Sequence, residues 1–171
     1  IDNAKGVTLQ GAGIDVSVVT VETPGRVCCS DGHFSGTNTK TYRITGFTFK
    51  DAPLNSAVFT WYGTSGALAT NVRTDHNKFL DFDGTSNAVI YGGYSPNSEV
   101  QGLFDHNEFV GTLHNFNAIK VLGRGSDYTT MPQTSTVRGT IANTFIEDNR
   151  FDMAIQDIFG VPCFDGWNAG G

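Results

Sequence analysis

Acidic side chains recur at one position of a repeated pentapeptide, and their spacing suggests a cation site. The copies are DHNKF at 75–79, DHNEF at 105–109 and EDNRF at 147–151, so the acidic column is Asp75, Asp105 and Glu147. Carboxylates stacked at close spacing repel one another unless a cation or a basic side chain lies between them. Calcium takes about six to eight oxygen ligands, and three carboxylates in a straight column supply too few. We therefore favour neutralisation by Arg43 and Arg73, with a calcium site as the alternative.

Histidines occupy the next position of the pentapeptide, at His76 and His106, where the third copy has Asp148. Histidine is the commonest metal ligand, so a paired metal site is one interpretation. Repetition at one position favours a structural role instead, because catalysis requires a single asymmetric arrangement. We expect the ring nitrogens to bond to backbone carbonyl groups.

Another column alternates in charge and predicts a cross-strand ladder: Lys78, Glu108 and Arg150.

The spacing of the copies indicates which elements position these residues. Intervals of 30 and then 42 residues, with a degenerate copy at 45–49, are typical of stacked supersecondary units. Two columns are predicted to face inward: Ile44, Thr74, Phe104 and Ile146; and Phe49, Phe79, Phe109 and Phe151. A third column suits left-handed turns and hydrogen bonding along the stack: Asn77, Asn107 and Asn149. Each unit should supply about three short strands that pair in parallel with those of the next.

A further apolar segment follows in each unit, at 57–61, 88–91, 118–122 and 154–158. Our alignment predicts an inward column of Val58, Val89, Ile119 and Ile155 and an outward column of Phe59, Ile90, Lys120 and Gln156. Aromatic and acidic residues flank the outward face: Trp61, Tyr62, Tyr91, Tyr94 and Asp127. Sugars present apolar ring faces and hydroxyl edges, so such a mixture suits a sugar-binding groove. Each of these residues taken singly also fits packing under loops.

Composition restricts the classes of protein to which the chain can belong. Its 171 residues include 21 glycines and 13 phenylalanines, which suits one turn-rich all-β domain. A net charge of −6 argues against nucleic acid as a partner. No run of about 18 apolar residues is present, so we expect no membrane insertion. Three cysteines leave their pairing open: Cys28, Cys29 and Cys163.

The two ends of the sequence lack capping elements. The chain opens in mid-pattern at 6–11 and stops at Gly170 and Gly171. We expect a single domain over 1–171 that is a segment of a longer chain, or whose open ends are covered by self-association or flanking domains. The segment 123–138 lacks periodicity and is predicted to be a long loop insertion.

The Asn-x-Phe phrase at intervals near 30, together with the opening GVTLQGAG at 6–13, resembles right-handed parallel β-helix proteins of the pectate-lyase-like superfamily. The resemblance covers roughly residues 6–160. It implies an all-β right-handed parallel β-helix, a solenoid of about four to five rungs. That superfamily includes polysaccharide lyases, hydrolases, tail spikes and non-catalytic surface proteins, so the fold alone does not define the activity.

The resemblance implies a polysaccharide bound along an outer sheet face, often with calcium. A lyase needs a base and a charge neutraliser, and the candidates here are Lys120, Arg124 and His114. A hydrolase needs paired carboxylates, for which the candidates are Asp81, Asp83 and Asp127. We expect a secreted or surface-displayed protein that binds, and in the enzymatic case cleaves, a polysaccharide. The alternative is a non-catalytic structural or adhesive shaft of a tail spike, filament or surface assembly.

Overall fold

The computed structural model describes the backbone of residues 5–20, 32–34, 40–50, 59–63, 68–81, 88–92, 99–113, 117–122, 144–155 and 164–167. Side chains are described for 5–20, 40–50, 71–81, 101–111 and 145–152. The long insertion predicted at 123–138 and the three cysteines lie outside these residues.

Every regular element in the described part of the chain is a β-strand, which confirms the all-β prediction. In chain order the strands are β1 Val7–Gln10, β2 Val18–Thr20, β3 Gly32–Phe34, β4 Tyr42–Thr45, β5 Thr48–Lys50, β6 Phe59–Gly63, β7 Leu68–Asp75, β8 Lys78–Leu80, β9 Ala88–Gly92, β10 Glu99–Asp105, β11 Glu108–Leu113, β12 Asn117–Leu122, β13 Thr144–Glu147, β14 Arg150–Ile155 and β15 Phe164–Trp167. Among the same residues, no helix has the length and apolar character needed to cross a membrane.

The strands form three sheets of five, and each sheet takes every third strand of the chain. The first sheet has the order β1-β4-β7-β10-β13, the second β14-β11-β8-β5-β2 and the third β15-β12-β9-β6-β3. Neighbouring strands pair in parallel, with like positions of the repeat opposite one another. This cyclic order is consistent with a parallel β-solenoid, in which each unit buries its apolar side against its neighbours.

The core follows the two apolar columns predicted from the repeat. Ile44, Thr74 and Phe104 are buried in the first sheet. In the second sheet, rings stack from Phe49 to Phe79 at 5.6 Å and from Phe79 to Phe109 at 5.0 Å. Full burial of one such side chain stabilises the fold by about 1.5–3 kcal/mol. Both predicted inward columns are therefore confirmed at the positions whose strand is paired on both sides.

The contact between β7 and β10 requires a glycine. The register of this pair shifts between Val100 and Gly102, which is a bulge-like irregularity. A Cβ atom on Gly102 would lie 2.1 Å from the carbonyl oxygen of Val72, far inside van der Waals contact. Close approach of two backbones is one of the roles that only glycine fills in a strand.

The third sheet corrects our alignment of the third apolar segment. Ile119 pairs with Ile90 rather than with Val89, and Lys120 pairs with Tyr91 rather than with Ile90. Ile155 belongs to β14 of the second sheet, so it does not continue the column of Ile119. These segments are short apolar runs with no repeated phrase, and several registers satisfy the same pattern. The aligned positions at Val58 and Gln156 lie outside the described residues.

Candidate functional site: the stacked turn between the first and second sheets

A left-handed residue makes the turn that joins the first sheet to the second. In two copies of the repeat this residue is a histidine, His76 or His106, with φ of 53° in both. In the other two copies it is Gly46, with φ of 79°, and Asp148, with φ of 53°. From the repeat we had assigned this role to the asparagine that follows, and that prediction is wrong. The glycine at this position in the degenerate copy was the available signal, since glycine adopts positive φ without strain.

The asparagines instead form a buried ladder of side-chain amides. Asn107 Nδ2 donates to the carbonyl oxygen of Thr74 at 2.8 Å and to Asn149 Oδ1 at 3.0 Å. Asn107 Oδ1 in turn accepts from the backbone N–H and from Nδ2 of Asn77, both at 3.2 Å. Asn77 and Asn107 are fully buried, and these bonds satisfy polar atoms that burial would otherwise penalise. The predicted hydrogen bonding along the stack is confirmed.

The acidic column is held by arginines, the alternative that we favoured from the sequence. The strand register aligns Asp75 with Asp105 and Asp105 with Glu147. Arg43 binds both oxygens of Asp75, with Nε donating to Oδ1 at 2.7 Å and Nη2 donating to Oδ2. Arg73 binds Asp105 in the same way, with distances of 3.2 Å and 2.9 Å. Arg73 Nε also lies 3.4 Å from Asp75 Oδ1, so the pairs form a continuous ladder.

These contacts determine the charge state of the first aspartate in the ladder. Burial alone would raise the pKa of Asp75, but hydrogen bonds from Arg43 and His76 and the nearby arginine charges outweigh it. The pKa of Asp75 therefore lies below its ordinary value. The hydrogen bond to Asp75 likewise raises the pKa of Arg43 against the opposing effect of burial. Both partners are stabilised in their charged forms.

The same ladder leaves little room for a calcium ion. Asp75 is 0% exposed and Asp105 is 3% exposed, and their oxygens already accept from guanidinium groups. Among the described side chains, no group of three or more His, Cys, Asp or Glu residues is arranged to hold a metal. A calcium ion would have to displace an arginine, so this column does not fit calcium and we carry no calcium site into the proposal below.

The histidines cover the carboxylates from the outside. His76 Nδ1 lies 2.8 Å from Asp75 Oδ2, and His106 Nδ1 lies 2.9 Å from Asp105 Oδ2. The two rings stack with centroids 4.8 Å apart and an angle of 0° between their planes. Our expectation of backbone carbonyl partners was wrong, and the signal we missed was the aspartate directly before each histidine. Parallel rings do not converge on one ion, which disfavours the paired metal site.

The column of alternating charge is aligned as predicted, but its ion pairs run elsewhere. Lys78 lies opposite Glu108, and Glu108 lies opposite Arg150. Lys78 Nζ bonds to both oxygens of Asp15, at 3.0 and 3.1 Å, and Arg150 pairs with Asp152 at 3.0 Å. We assign this column no chemistry.

The residues predicted to bind a sugar do not all occupy one column of the third sheet. Tyr91 pairs with Lys120, and Lys120 pairs with Asp165, so these three share a column. Asp165 was missed, because we had assigned the last strand of this sheet to 154–158. Trp61 pairs with Gly92, so it stands one strand position after the column that contains Tyr91, and Tyr62 follows Trp61 on the same strand. The other candidates lie outside the described residues: Tyr94, His114, Arg124 and Asp127.

Known proteins offer no direct guide to this site. A scan against protein-family models, a search of curated proteins and a search of solved structures each return no match.

Proposed function

We propose that the chain is a right-handed parallel β-helix similar to the pectate-lyase-like superfamily, and that the outer side of its third sheet binds a polysaccharide. Crossovers between parallel strands of one sheet are right-handed in about 98% of cases, which supports the handedness. Five strands in each sheet support a count of about five rungs. In keeping with such a role, we propose that the protein is secreted or displayed on a surface.

The column of Tyr91, Lys120 and Asp165 carries this proposal. Adjacent parallel strands are about 4.8 Å apart, so an aromatic, a cationic and an acidic residue follow one another at that spacing. A tyrosine ring suits the apolar face of a sugar, and the two charged groups suit its hydroxyl and carboxylate substituents.

The neighbouring positions support the assignment of this column to the outer side of the sheet. Ile90 pairs with Ile119, and Ile119 pairs with Phe164, so the alternate column is entirely apolar. Successive residues of a strand point to opposite faces, and a sheet with one buried face places its apolar column inward. From this alternation of strand positions we assign the polar column to the outer face as part of the proposal.

Binding to a panel of acidic and neutral polysaccharides, measured by affinity electrophoresis and calorimetry, tests the proposal. Lys120→Ala should weaken binding of acidic polymers about tenfold, because it removes a charge-assisted hydrogen bond, and should affect neutral polymers less. Tyr91→Ala should weaken both classes. Arg150→Ala is the matched control, since it removes an exposed cation from the second sheet. Equal effects of Lys120→Ala and Arg150→Ala would place the ligand elsewhere.

Cleavage is a separate question that the same polymers answer. If the protein is a lyase, incubation with acidic polymers should produce unsaturated sugars that absorb in the ultraviolet. Lys120→Ala should abolish that signal, since Lys120, together with His114 and Arg124, is among our candidates for the base and the charge neutraliser. Binding without any such signal excludes a lyase, and binding that also yields no new reducing ends, the product of hydrolysis, assigns a recognition module rather than an enzyme.

A structural or adhesive shaft is the second candidate, and the buried ladders favour it. Identical side chains stack from unit to unit at Asn77, Asn107 and Asn149, as a rigid rod would require. This candidate expects no binding across the polysaccharide panel and an ordered assembly by light scattering and electron microscopy. Self-association or flanking domains would then cover the ends of the stack. A monomer at all concentrations, retained by a polysaccharide, would exclude it.

A further inference from the structure

The large apolar side chains that are exposed in the described part of the chain all lie in the first unit of the stack, β1 to β3, or in the last, β13 to β15. They are Val7, Leu9, Val16 and Val18 in the first unit and Phe151 in the last. Leu9 is 38% exposed, whereas Ile44, with which it pairs, is buried. Phe151 is 42% exposed, whereas its partner Phe109 is buried. The apolar columns are thus covered inside the stack and open at its two ends.

Each end of the stack also presents three strand edges. Among the described strands, β1, β2 and β3 are outermost at the first-unit end, and β13, β14 and β15 are outermost at the last-unit end. An outermost strand offers its backbone N–H and C=O groups to another strand. Neighbouring strands in this stack pair in parallel. A surface that continues the stack must therefore supply three parallel strands in the same cyclic order, and the opposite end of a second copy does so.

The observed register, extended across such a joint, brings apolar residues together. In the first sheet, Ile146 of one copy would lie opposite Leu9 of the next, which continues the inward column. In the second sheet, Phe151 would lie opposite Val19, at the end of the column of stacked phenylalanine rings. Both contacts remove apolar surface from water, which is the main favourable contribution to protein association.

The same register places no like charges opposite one another along β13 and β14. Glu147 would lie opposite Gln10, whose side-chain amide can donate to a carboxylate. The other charged residues of these two strands would lie opposite uncharged ones: Arg150 opposite Val18, and Asp152 opposite Thr20. The two ends are therefore compatible in charge as well as in strand direction.

The loop at 11–17 turns away from the first-unit end. The backbone N–H of Asp15 donates to Thr48 Oγ1 at 2.8 Å, and Lys78 Nζ donates to both carboxylate oxygens of Asp15. Thr48 and Lys78 belong to the second and third units, so the loop folds back along the stack. Val16 lies in this loop and in none of the strands that would form the joint.

We propose that the first-unit end of one copy binds the last-unit end of another, so that the three sheets continue from chain to chain. Contact between two like ends would instead reverse the strand direction across the joint. A joint between unlike ends leaves one end of each kind free, so it generates a filament. Five strands per sheet at about 4.8 Å give a repeat of about 24 Å per copy along the filament. This inference rests on the second candidate function, the shaft, and does not require polysaccharide binding.

Sedimentation velocity and electron microscopy of the whole chain test the joint. The mass of the wild type should rise with concentration, and its filaments should show repeats of about 4.8 and 24 Å. Leu9→Lys and Phe151→Lys should each abolish growth, because each places a charge in the joint. Val16→Lys is the matched control and should assemble like the wild type. A wild type that stays monomeric overturns the proposal. An ordered assembly that neither end variant weakens overturns this joint but keeps the shaft.

A mixture of the two end variants tests the polarity of the joint. Each variant keeps one intact end, so we expect two monomeric samples that combine into a one-to-one dimer and grow no further. Circular dichroism of each dilute sample establishes that the variant is folded. A homodimer of either variant, or no dimer from two folded variants, overturns the proposal. Both variants should bind polysaccharides as the wild type does, since they leave Tyr91 and Lys120 in place, so the two proposals succeed or fail separately.

Discussion

Replacing Asn107 by alanine should destabilise the protein strongly, because this side chain is the centre of the buried amide ladder. It donates to Thr74 and Asn149 and accepts twice from Asn77. Each hydrogen bond contributes about 0.5–1.5 kcal/mol net, so the four together correspond to about 2–6 kcal/mol. The loss should fall in the upper part of that range, since Asn107 is fully buried and water cannot replace its partners.

Asn149→Ala is the control that isolates the effect of burial. Asn149 also takes part in four bonds, donating to the carbonyl oxygens of Phe104 and Glu147 and accepting two from Asn107. It is only half-buried, so water can reach part of its surroundings. We expect its replacement to cost about half as much as that of Asn107.

Urea denaturation followed by tryptophan fluorescence measures both losses, with the free energy of unfolding obtained by linear extrapolation. Asn107→Asp adds a third point. At pH values that leave the new carboxyl protonated, it keeps the acceptor oxygen and has one O–H donor in place of two N–H donors, so its stability should lie between those of the alanine variant and the wild type. Equal losses for Asn107→Ala and Asn149→Ala would refute the reasoning, as would a loss below about 1 kcal/mol for Asn107→Ala.

Three further changes test other parts of the fold. Asp75→Asn should lower the free energy of unfolding at neutral pH. The pKa of Asp75 is lower in the folded state, so the stability that its charged form contributes is complete above the ordinary pKa of 3.8. That stability is lost as the pH falls through the pKa of the folded state. A difference in unfolding free energy between wild type and Asp75→Asn that persists undiminished in acid would contradict this. Gly102→Ala should destabilise by about 1–3 kcal/mol, since the new methyl group meets the Val72 carbonyl oxygen, and an unchanged melting temperature would argue against that contact. Phe109→Ala should lower the free energy of unfolding by about 3–5 kcal/mol, and Phe151→Ala should lower it less, because Phe151 is 42% exposed. Chemical denaturation of the two variants measures that order, and the reverse order would place the core elsewhere.

The first and second sheets could be predicted from the sequence because a specific phrase fixes their register. An asparagine followed two residues later by phenylalanine aligns the strands on both sides of one turn, and Phe79 and Phe109 indeed lie opposite one another. The third sheet has no such phrase. Ile119 can be aligned with Val89 or, one residue later, with Ile90, and both registers give an apolar column. The apolar pattern alone therefore could not distinguish the two registers.

The chemistry of the turn was only partly visible in the sequence. The choice of Arg43 as partner for Asp75 followed from charge and strand spacing, and the structure shows that pair. The contact of His76 with the carboxylate of the preceding residue depends on its left-handed backbone, which periodicity does not report. Side-chain direction at a turn is a local conformational property, and it became apparent only from the backbone angles.

The bond between Asn107 and Asn149 has a practical consequence for anyone who wishes to alter this protein. These residues are 42 positions apart, whereas Asn77 and Asn107 are separated by 30, yet both pairs are bonded in the same way. Extra chain between two units is thus compatible with an undisturbed ladder, and the cost of closing a longer loop grows only slowly with its length. We therefore expect that a foreign peptide grafted between the end of β12 at Leu122 and the start of β13 at Thr144 leaves the ladder intact.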